Sequence, residues 1–253
     1  MKIVTWNVNS IKVRLQHVLD WLEAHQPDVL CLQELKTEDK AFPAAALAEA
    51  GWLAEANGQK TYNGVALLSR QPATAVVRDI PDFADEQKRI IAASYGDVRV
   101  VCGYFPNGQA VGSDKFAYKM RWLEALTAWL AEELKTHPRL VLAGDFNIAP
   151  HDEDAHRDWD AEIHVSEPER AAFRALEALG LRDAFRLFEQ PEKSYSWWDY
   201  RMLAFRRNFG LRIDHLLVSE ALVPACAACH IDKEPRRLEK PSDHAPVVLE
   251  LNL

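Results

Sequence analysis

Two rhythms of apolar and polar residues alternate along this chain. Asp28-Val29-Leu30-Cys31-Leu32-Gln33 and Leu140-Val141-Leu142-Ala143 are apolar almost throughout, as strands buried on both faces are. Ile11–His25 instead repeats Ile11, Leu15, Val18, Leu19 and Leu22 at helical spacing. Lys2–Trp6 reads as the strand before that helix, Ser10 as its cap, and Pro27 as the break after it. This strand–helix–strand unit predicts a right-handed crossover. Phe42–Ala50 reads as a short helix starting near Pro43. Strand-like runs then follow at Trp52–Glu55, Gly64–Ser69, Ala75–Arg78, Ile90–Tyr95 and Val98–Phe105. They are too close together for helices between them, so antiparallel hairpins are expected, with Tyr95-Gly96-Asp97-Val98 as one turn.

Asp114–Leu134 is the longest expected helix. Phe116, Met120, Leu123, Leu130 and Leu134 form its apolar stripe, and Trp122 and Trp129 widen that stripe as core. His151–His164 is polar and aperiodic and reads as a solvated loop. Ser166-Glu167-Pro168-Glu169 is a capping box for a helix through Leu179, with Gly180 just past its end. Ser194–Trp198, Leu211–Val218, Ala227–Asp232 and Ala245–Leu251 supply the last strands. Many short mixed strands alternating with helices imply an α/β fold, two packed mixed sheets covered by helices. The 253 residues carry no repeat, linker or low-complexity tract, so 1–253 reads as a single domain.

Composition changes this picture little. At 48% hydrophobic and 27% charged the chain is an ordinary globular one. No apolar run reaches the roughly 20 residues that span a bilayer, and the N-terminus lacks a signal-peptide core, so a cytoplasmic protein without a membrane partner is expected. Cys31 and Cys102 fall in strand-like runs and read as small core residues. Cys226-Ala-Ala-Cys229-His230 has the spacing of a haem-attachment site, but that chemistry needs an exported chain, and the pattern is set aside. A net charge of −8 argues mildly against nucleic acid, although partners respond to local fields rather than to a sum.

The chemistry-bearing residues lie just past strand-like runs. Gly144 ends the run at Leu140–Ala143, and alternation sets Asp145 and Asn147 on one side with Phe146 on the other. Asn7 and Glu34 close the first two strands and share one rim if those strands are neighbours, where open α/β sheets hold ligands. Tyr104, Asp214, Asp243 and His244 complete the set. Each has a plain alternative: Asp214 could pair with Arg212, Glu34 with Lys36, and Ser242–Pro246 could be a simple turn. Together they are four carboxylates, two amides, a phenol and an imidazole. Hard cations such as Mg²⁺ take carboxylate oxygens and leave positions to water and phosphate. Phosphodiester cleavage needs an activated water, neutralised phosphate charge and a supported leaving oxygen, all within reach of this inventory.

Six motifs in order, Trp6-Asn7-Val8-Asn9, Leu32-Gln33-Glu34-Leu35-Lys36, Gly103-Tyr104-Phe105-Pro106-Asn107-Gly108, Gly144-Asp145-Phe146-Asn147, Gly210-Leu211-Arg212-Ile213-Asp214 and Lys240-Pro241-Ser242-Asp243-His244-Ala245-Pro246, resemble those of the exonuclease III family of DNA-repair phosphodiesterases. The resemblance implies a four-layer α/β sandwich and Mg²⁺-dependent cleavage of DNA phosphodiesters, with Mn²⁺ able to substitute. It implies Glu34 as main metal ligand, supported by Asn7 and Asp243. Asp145 would orient or deprotonate the attacking water beside Asn147, Tyr104 would contact phosphate or leaving group, and His244 would pair with Asp214. Asp145 and Asn147 also belong to the implied metal environment. Either Asp145 or His244 is left as the base.

The family's pocket for a sugar lacking its base falls on Trp197, Leu211 and Ile213, with core as the alternative for the tryptophan. Arg201, Arg206 and Arg207 would contact DNA phosphates. His164 aligns with a DNA-facing loop, where its bulk would obstruct a continuing strand but admit a frayed 3′ end; a solvated loop histidine is the alternative. The expected partner is double-stranded DNA with damaged or recessed 3′ ends or abasic sites, the expected state a monomer, and the expected balance 3′-end processing over abasic-site incision. The rival readings are a phosphatase on lipid or inositol phosphates and a non-catalytic RNA-binding regulator of the same fold.

Overall fold

The computed structural model describes residues 1–253. The apolar runs become β1 (Lys2–Asn7), β2 (Val29–Gln33), β3 (Leu53–Asn57), β4 (Val65–Ser69), β5 (Thr74–Arg78), β6 (Ile90–Tyr95), β7 (Val98–Tyr104), β8 (Leu140–Asp145), β9 (Leu181–Asp183), β10 (Asp214–Ser219), β11 (Cys226–Ile231) and β12 (Val247–Leu251). The helices are α1 (Ile11–His25), α2 (Ala44–Glu49), α3 (Asp114–Thr136), α4 (Glu167–Ala178) and α5 (Ala204–Arg207). The strands form two six-stranded mixed sheets, ordered β11-β12-β1-β2-β4-β3 and β5-β6-β7-β8-β10-β9. Within each sheet one pair at the centre is parallel, β1 with β2 and β7 with β8, and the remaining pairs are antiparallel.

Side-chain alternation sorts the apolar residues into three layers. Ile3, Cys31 and Leu67 of one sheet meet Val100, Cys102 and Val141 of the other in the core between the sheets. The opposite faces are covered by α1 and α2, where Val4, Leu30 and Leu32 meet Val18, Trp21 and Leu22. They are covered by α3 and α4 on the second sheet, where Val101, Leu142 and Phe146 meet Trp122, Leu126 and Phe173. The expected four-layer α/β sandwich is present. No helix is long and apolar enough to cross a membrane. Cys229 is buried on β11 and His230 beside it is exposed, so the Cys-x-x-Cys-His pattern is a strand with alternating faces.

Four local expectations need correction. Ser10 does not cap α1 through its side chain; its backbone is left-handed (φ 88°) because its N–H donates to Glu34 O. Ser194–Trp198 forms no ladder, only isolated bridges from Trp197 to Leu211 and His244. His151–His164 is not a solvated loop, since Asp154 and His164 are buried and bonded. Arg212 does not pair with Asp214 but with Asp154 and Asp183. The Ser166–Glu169 capping box forms as read.

Candidate active site

Parallel β1 and β2 run side by side, with Asn7 opposite Gln33, so Asn7 and Glu34 share a rim. In the facing sheet Tyr104, Asp145 and Asp214 lie in register on adjacent β7, β8 and β10. His244 precedes β12, the antiparallel neighbour of β1. Six strands thus deliver their polar ends to one edge of the sandwich.

The side chains there form one connected network. Asn7 Nδ2 donates to Asp145 Oδ2 at 2.9 Å and to Glu34 Oε1 at 3.3 Å. The Tyr104 hydroxyl donates to Glu34 Oε1 at 2.7 Å, and Lys36 Nζ lies 2.9 Å from Glu34 Oε2. The plain Glu34–Lys36 pairing and the shared rim are therefore both present. His244 Nδ1 is 2.9 Å from Asp214 Oδ2, which also accepts from Ser196 Oγ at 2.6 Å. His244 Nε2 lies 3.7 Å from Asp145 Oδ2. Asp243 stands at the margin, its carboxylate accepting from Asn9 Nδ2 (3.0 Å) and Trp197 Nε1 (2.9 Å).

Asp145 and Asn147 are not held together by strand alternation. β8 ends at Asp145, Asn147 is left-handed (φ 51°), and its N–H donates to Asp145 Oδ1 at 3.0 Å. This is an Asx-type turn, in which the short carboxylate closes the backbone on itself. Phe146 does point the other way, into the core beneath α3 and α4. Glu34, Lys36, Asn9, Ser10 and His164 are also left-handed without being glycine. Each such residue costs of order 1 kcal/mol or more, and here they line one rim.

Burial and charge set the electrostatics. Burial raises the Asp145 carboxyl, His244 pulls it back down, Asp214 and Glu34 push it up, and the result is about 7. Burial alone would lower His244, but the Asp214 and Asp145 carboxylates outweigh it and carry the imidazole to about 10. Desolvation and the Glu34 and Asp145 charges raise the Tyr104 phenol, so it stays protonated and donates. Four carboxyl groups, Glu34, Asp145, Asp214 and Asp243, have only His244 and Lys36 within ion-pairing distance, while Lys119 and Arg236 act on Asp145 and Asp243 from further off.

This negative excess suits a hard divalent cation, whose donors are carboxylate and amide oxygens. Asp145, Asp214 and His244 bring potential ligand atoms within 4.8 Å of one another. Each of these carboxylates is already engaged: Asp214 with His244 and Ser196, Glu34 with Tyr104, Asn7 and Lys36, and Asp145 with Asn7 and Asn147 N, so an ion held by Glu34 and Asp145 would share their oxygens with these donors.

Beside this network Trp197, half-buried, faces Trp159 edge-on (6.0 Å between ring centres) and packs with Leu211, Ile213 and Ala149. Arg206 and Arg207 are exposed on α5, and Arg201, also exposed, pairs with Asp199. His164 is buried, its Nδ1 2.8 Å from Asn147 O and its Nε2 3.5 Å from Asn107 Nδ2. Sequence reasoning passed over Asn9, Ser196 and Asn107. Asn9 and Asn107 stand in the motifs just past β1 and β7, a signal that was available; Ser196 is recruited by a contact no spacing announces.

Over residues 4–244 the chain matches the endonuclease/exonuclease/phosphatase family, and it belongs to that family, in its exonuclease III branch. It is 37% identical to exodeoxyribonuclease III of Haemophilus influenzae, covering 98% of both chains. It is 48% identical, with a TM-score of 0.97 and full coverage of both chains, to the Neisseria 3′ phosphatase NExo solved with a product DNA hairpin. An AP endonuclease from Archaeoglobus fulgidus matches at 35% identity and TM-score 0.96, again over both full chains.

Proposed function

We propose that this nuclease hydrolyses phosphate esters at damaged or recessed 3′ ends of double-stranded DNA, as a 3′–5′ exonuclease and 3′ phosphatase, using Mg²⁺ or Mn²⁺. The observation that carries the reading is the convergence of Glu34, Asn7, Asp145, Asp214 and His244 into one buried, negatively overcharged network. Support among relatives comes from the likeness to a 3′ phosphatase.

Glu34 would hold the cation with Asn7 and Asp145 beside it and Asp243 supporting from the margin. When bound, the ion neutralises phosphate charge and polarises the scissile ester. Asp145, at the rim 3.7 Å from His244 Nε2, accepts the proton of the attacking water. His244, flanked by two carboxylates, stays cationic and donates from Nε2 to the phosphate. Asp214 fixes its orientation. Asn147 and Tyr104 donate to the phosphate or to the leaving oxygen as charge develops there. Half-buried Trp197 faces the terminal sugar with buried Leu211 and Ile213 packed beneath it, and Arg201, Arg206 and Arg207 hold flanking phosphates.

His164 sets the balance of substrates through its contacts with Asn147 and Asn107, not by projecting into the path of a continuing strand, because its side chain is buried. It occupies the floor beside Asn147 with a backbone that glycine would adopt without strain. The test is a set of rates on four duplexes: a 3′-phosphate, a recessed 3′-hydroxyl, an internal abasic site and an intact nick. Fast release from the first two with slow abasic incision is expected; Mg²⁺-independent rates, or no cleavage of any of them, would overturn the reading.

A further inference from the structure

Lys119 lies on α3, on the side turned to the sheet, and is wholly buried. Its ammonium donates to Asn147 O at 2.7 Å, to Asn107 O at 3.3 Å and to the Glu169 carboxylate. An ammonium has three N–H groups and all three are used. Glu169 is equally buried, and its oxygens also accept from His164 N (3.1 Å) and from Ser166 N (3.2 Å) and Oγ (2.6 Å). The pair therefore reaches four segments: the loops after β7 and β8, the His164 loop and the start of α4.

A buried ion pair is poor evidence of stabilisation, because an apolar pair of similar volume often serves as well or better. What an apolar pair cannot do is aim two carbonyls from separate loops at one centre. Those carbonyls belong to Asn107 and Asn147, whose side chains meet at 3.3 Å, and Asn147 is held in a left-handed turn. We infer that Lys119 and Glu169 are positioning residues that fix the Asn107 and Asn147 amides relative to each other and to Asp145. The inference rests on the assignment of Asn147 to the phosphate for its kinetic consequence, but not for its geometry.

The test uses Lys119→Met/Glu169→Gln, which removes both charges together, and Asn147→Ala as the partner in a cycle. On a recessed 3′ end, kcat falls 30- to 100-fold in the double variant, the scale expected for misplacing a reacting group by about an ångström. KM for DNA stays within about threefold. Added to Asn147→Ala, the pair substitution lowers kcat by less than about threefold more, because the Asn147 amide that the pair positions is then absent. Independent multiplication of the two effects overturns the inference, since a merely structural role would multiply. Side-chain amide NMR signals give a readout separate from turnover. Those of Asn107 and Asn147 shift and broaden in the double variant, while that of Asn57, bonded to Asp79 away from the site, does not. Unchanged Asn107 and Asn147 signals overturn the inference even if wild-type enzyme cleaves no DNA, an outcome that sinks only the functional reading. Where the double variant does not fold, Lys119→Arg keeps the charge but moves the donors; it shows the same amide shifts and about tenfold lower kcat, and wild-type behaviour in both overturns the inference.

Discussion

Arg212 and Asp214 stand two residues apart and end in two different kinds of buried charge cluster. Arg212 bonds Asp154 (2.7 Å) and Asp183 (2.8 Å), Arg186 adds a second cation to Asp154, and Arg212 Nη1 meets His215 Nδ1 at 3.0 Å. Two arginines meet two aspartates, and the charges cancel. Asp214 belongs to the other cluster, where four carboxyl groups find only one imidazole and one lysine at ion-pairing distance. The balanced cluster ties the 151–164 segment to β9 and β10 and asks for nothing from outside. The unbalanced one is stable only because its carboxylates share hydrogen bonds and His244 is driven cationic, and it gains from any cation that enters. Charge balance, more than burial, separates architecture from chemistry here.

The comparison breaks first on activity. Asp145→Asn should lower kcat on a recessed 3′ end by roughly 10³-fold, the worth of a positioned base. It should leave stability equal or higher, because it removes surplus buried charge. Steady-state rates and urea unfolding of the same preparation check both halves. Arg212→Leu should do the opposite, losing roughly 3–5 kcal/mol of stability by stranding Asp183 and leaving Asp154 to Arg186 alone, with kcat per folded molecule changed only a few-fold.

His215 sharpens the balanced side. Burial and then Arg212 lower its pKa from 6.5 to about 4. The unfolded chain thus binds the proton more readily between these values. Its contribution is fully present above about pH 6.5 and is lost as pH falls toward 4, worth roughly 3 kcal/mol over that window. His215→Phe should flatten this part of a pH–stability curve measured by urea unfolding. The smallest effect belongs to the rim: His164→Gly should raise incision of an internal abasic site several-fold while leaving 3′-phosphate release within about twofold, read from rates on the two duplexes. No gain in incision would remove His164 from the account of specificity.

Much of the fold was legible because its signal is local. Ile11–His25 and the doubly buried runs at β2 and β8 announce themselves by period alone. The rim residues were legible because Asn7, Glu34, Tyr104 and Asp145 sit at or just past strand ends. Ser10, Asp154, His164 and Lys119 were not, because partners far along the chain decide their surroundings. Ser10 is drawn toward Glu34, Asp154 toward Arg212, and Lys119 toward Asn107, Asn147 and Glu169. A polar residue in an aperiodic loop looks solvated until the cation that meets it is known.

The central claim is that surplus carboxylate charge around Glu34 and Asp145 is a site for a divalent cation. The most direct measurement is the unfolding temperature of wild type and Glu34→Gln with and without saturating Mg²⁺, in the absence of DNA. Binding to the folded state alone at a hundredfold excess over Kd adds about 2.7 kcal/mol. Wild type should show a clear rise and Glu34→Gln little or none. Equal curves for wild type with and without Mg²⁺, or an undiminished rise in Glu34→Gln, would contradict it.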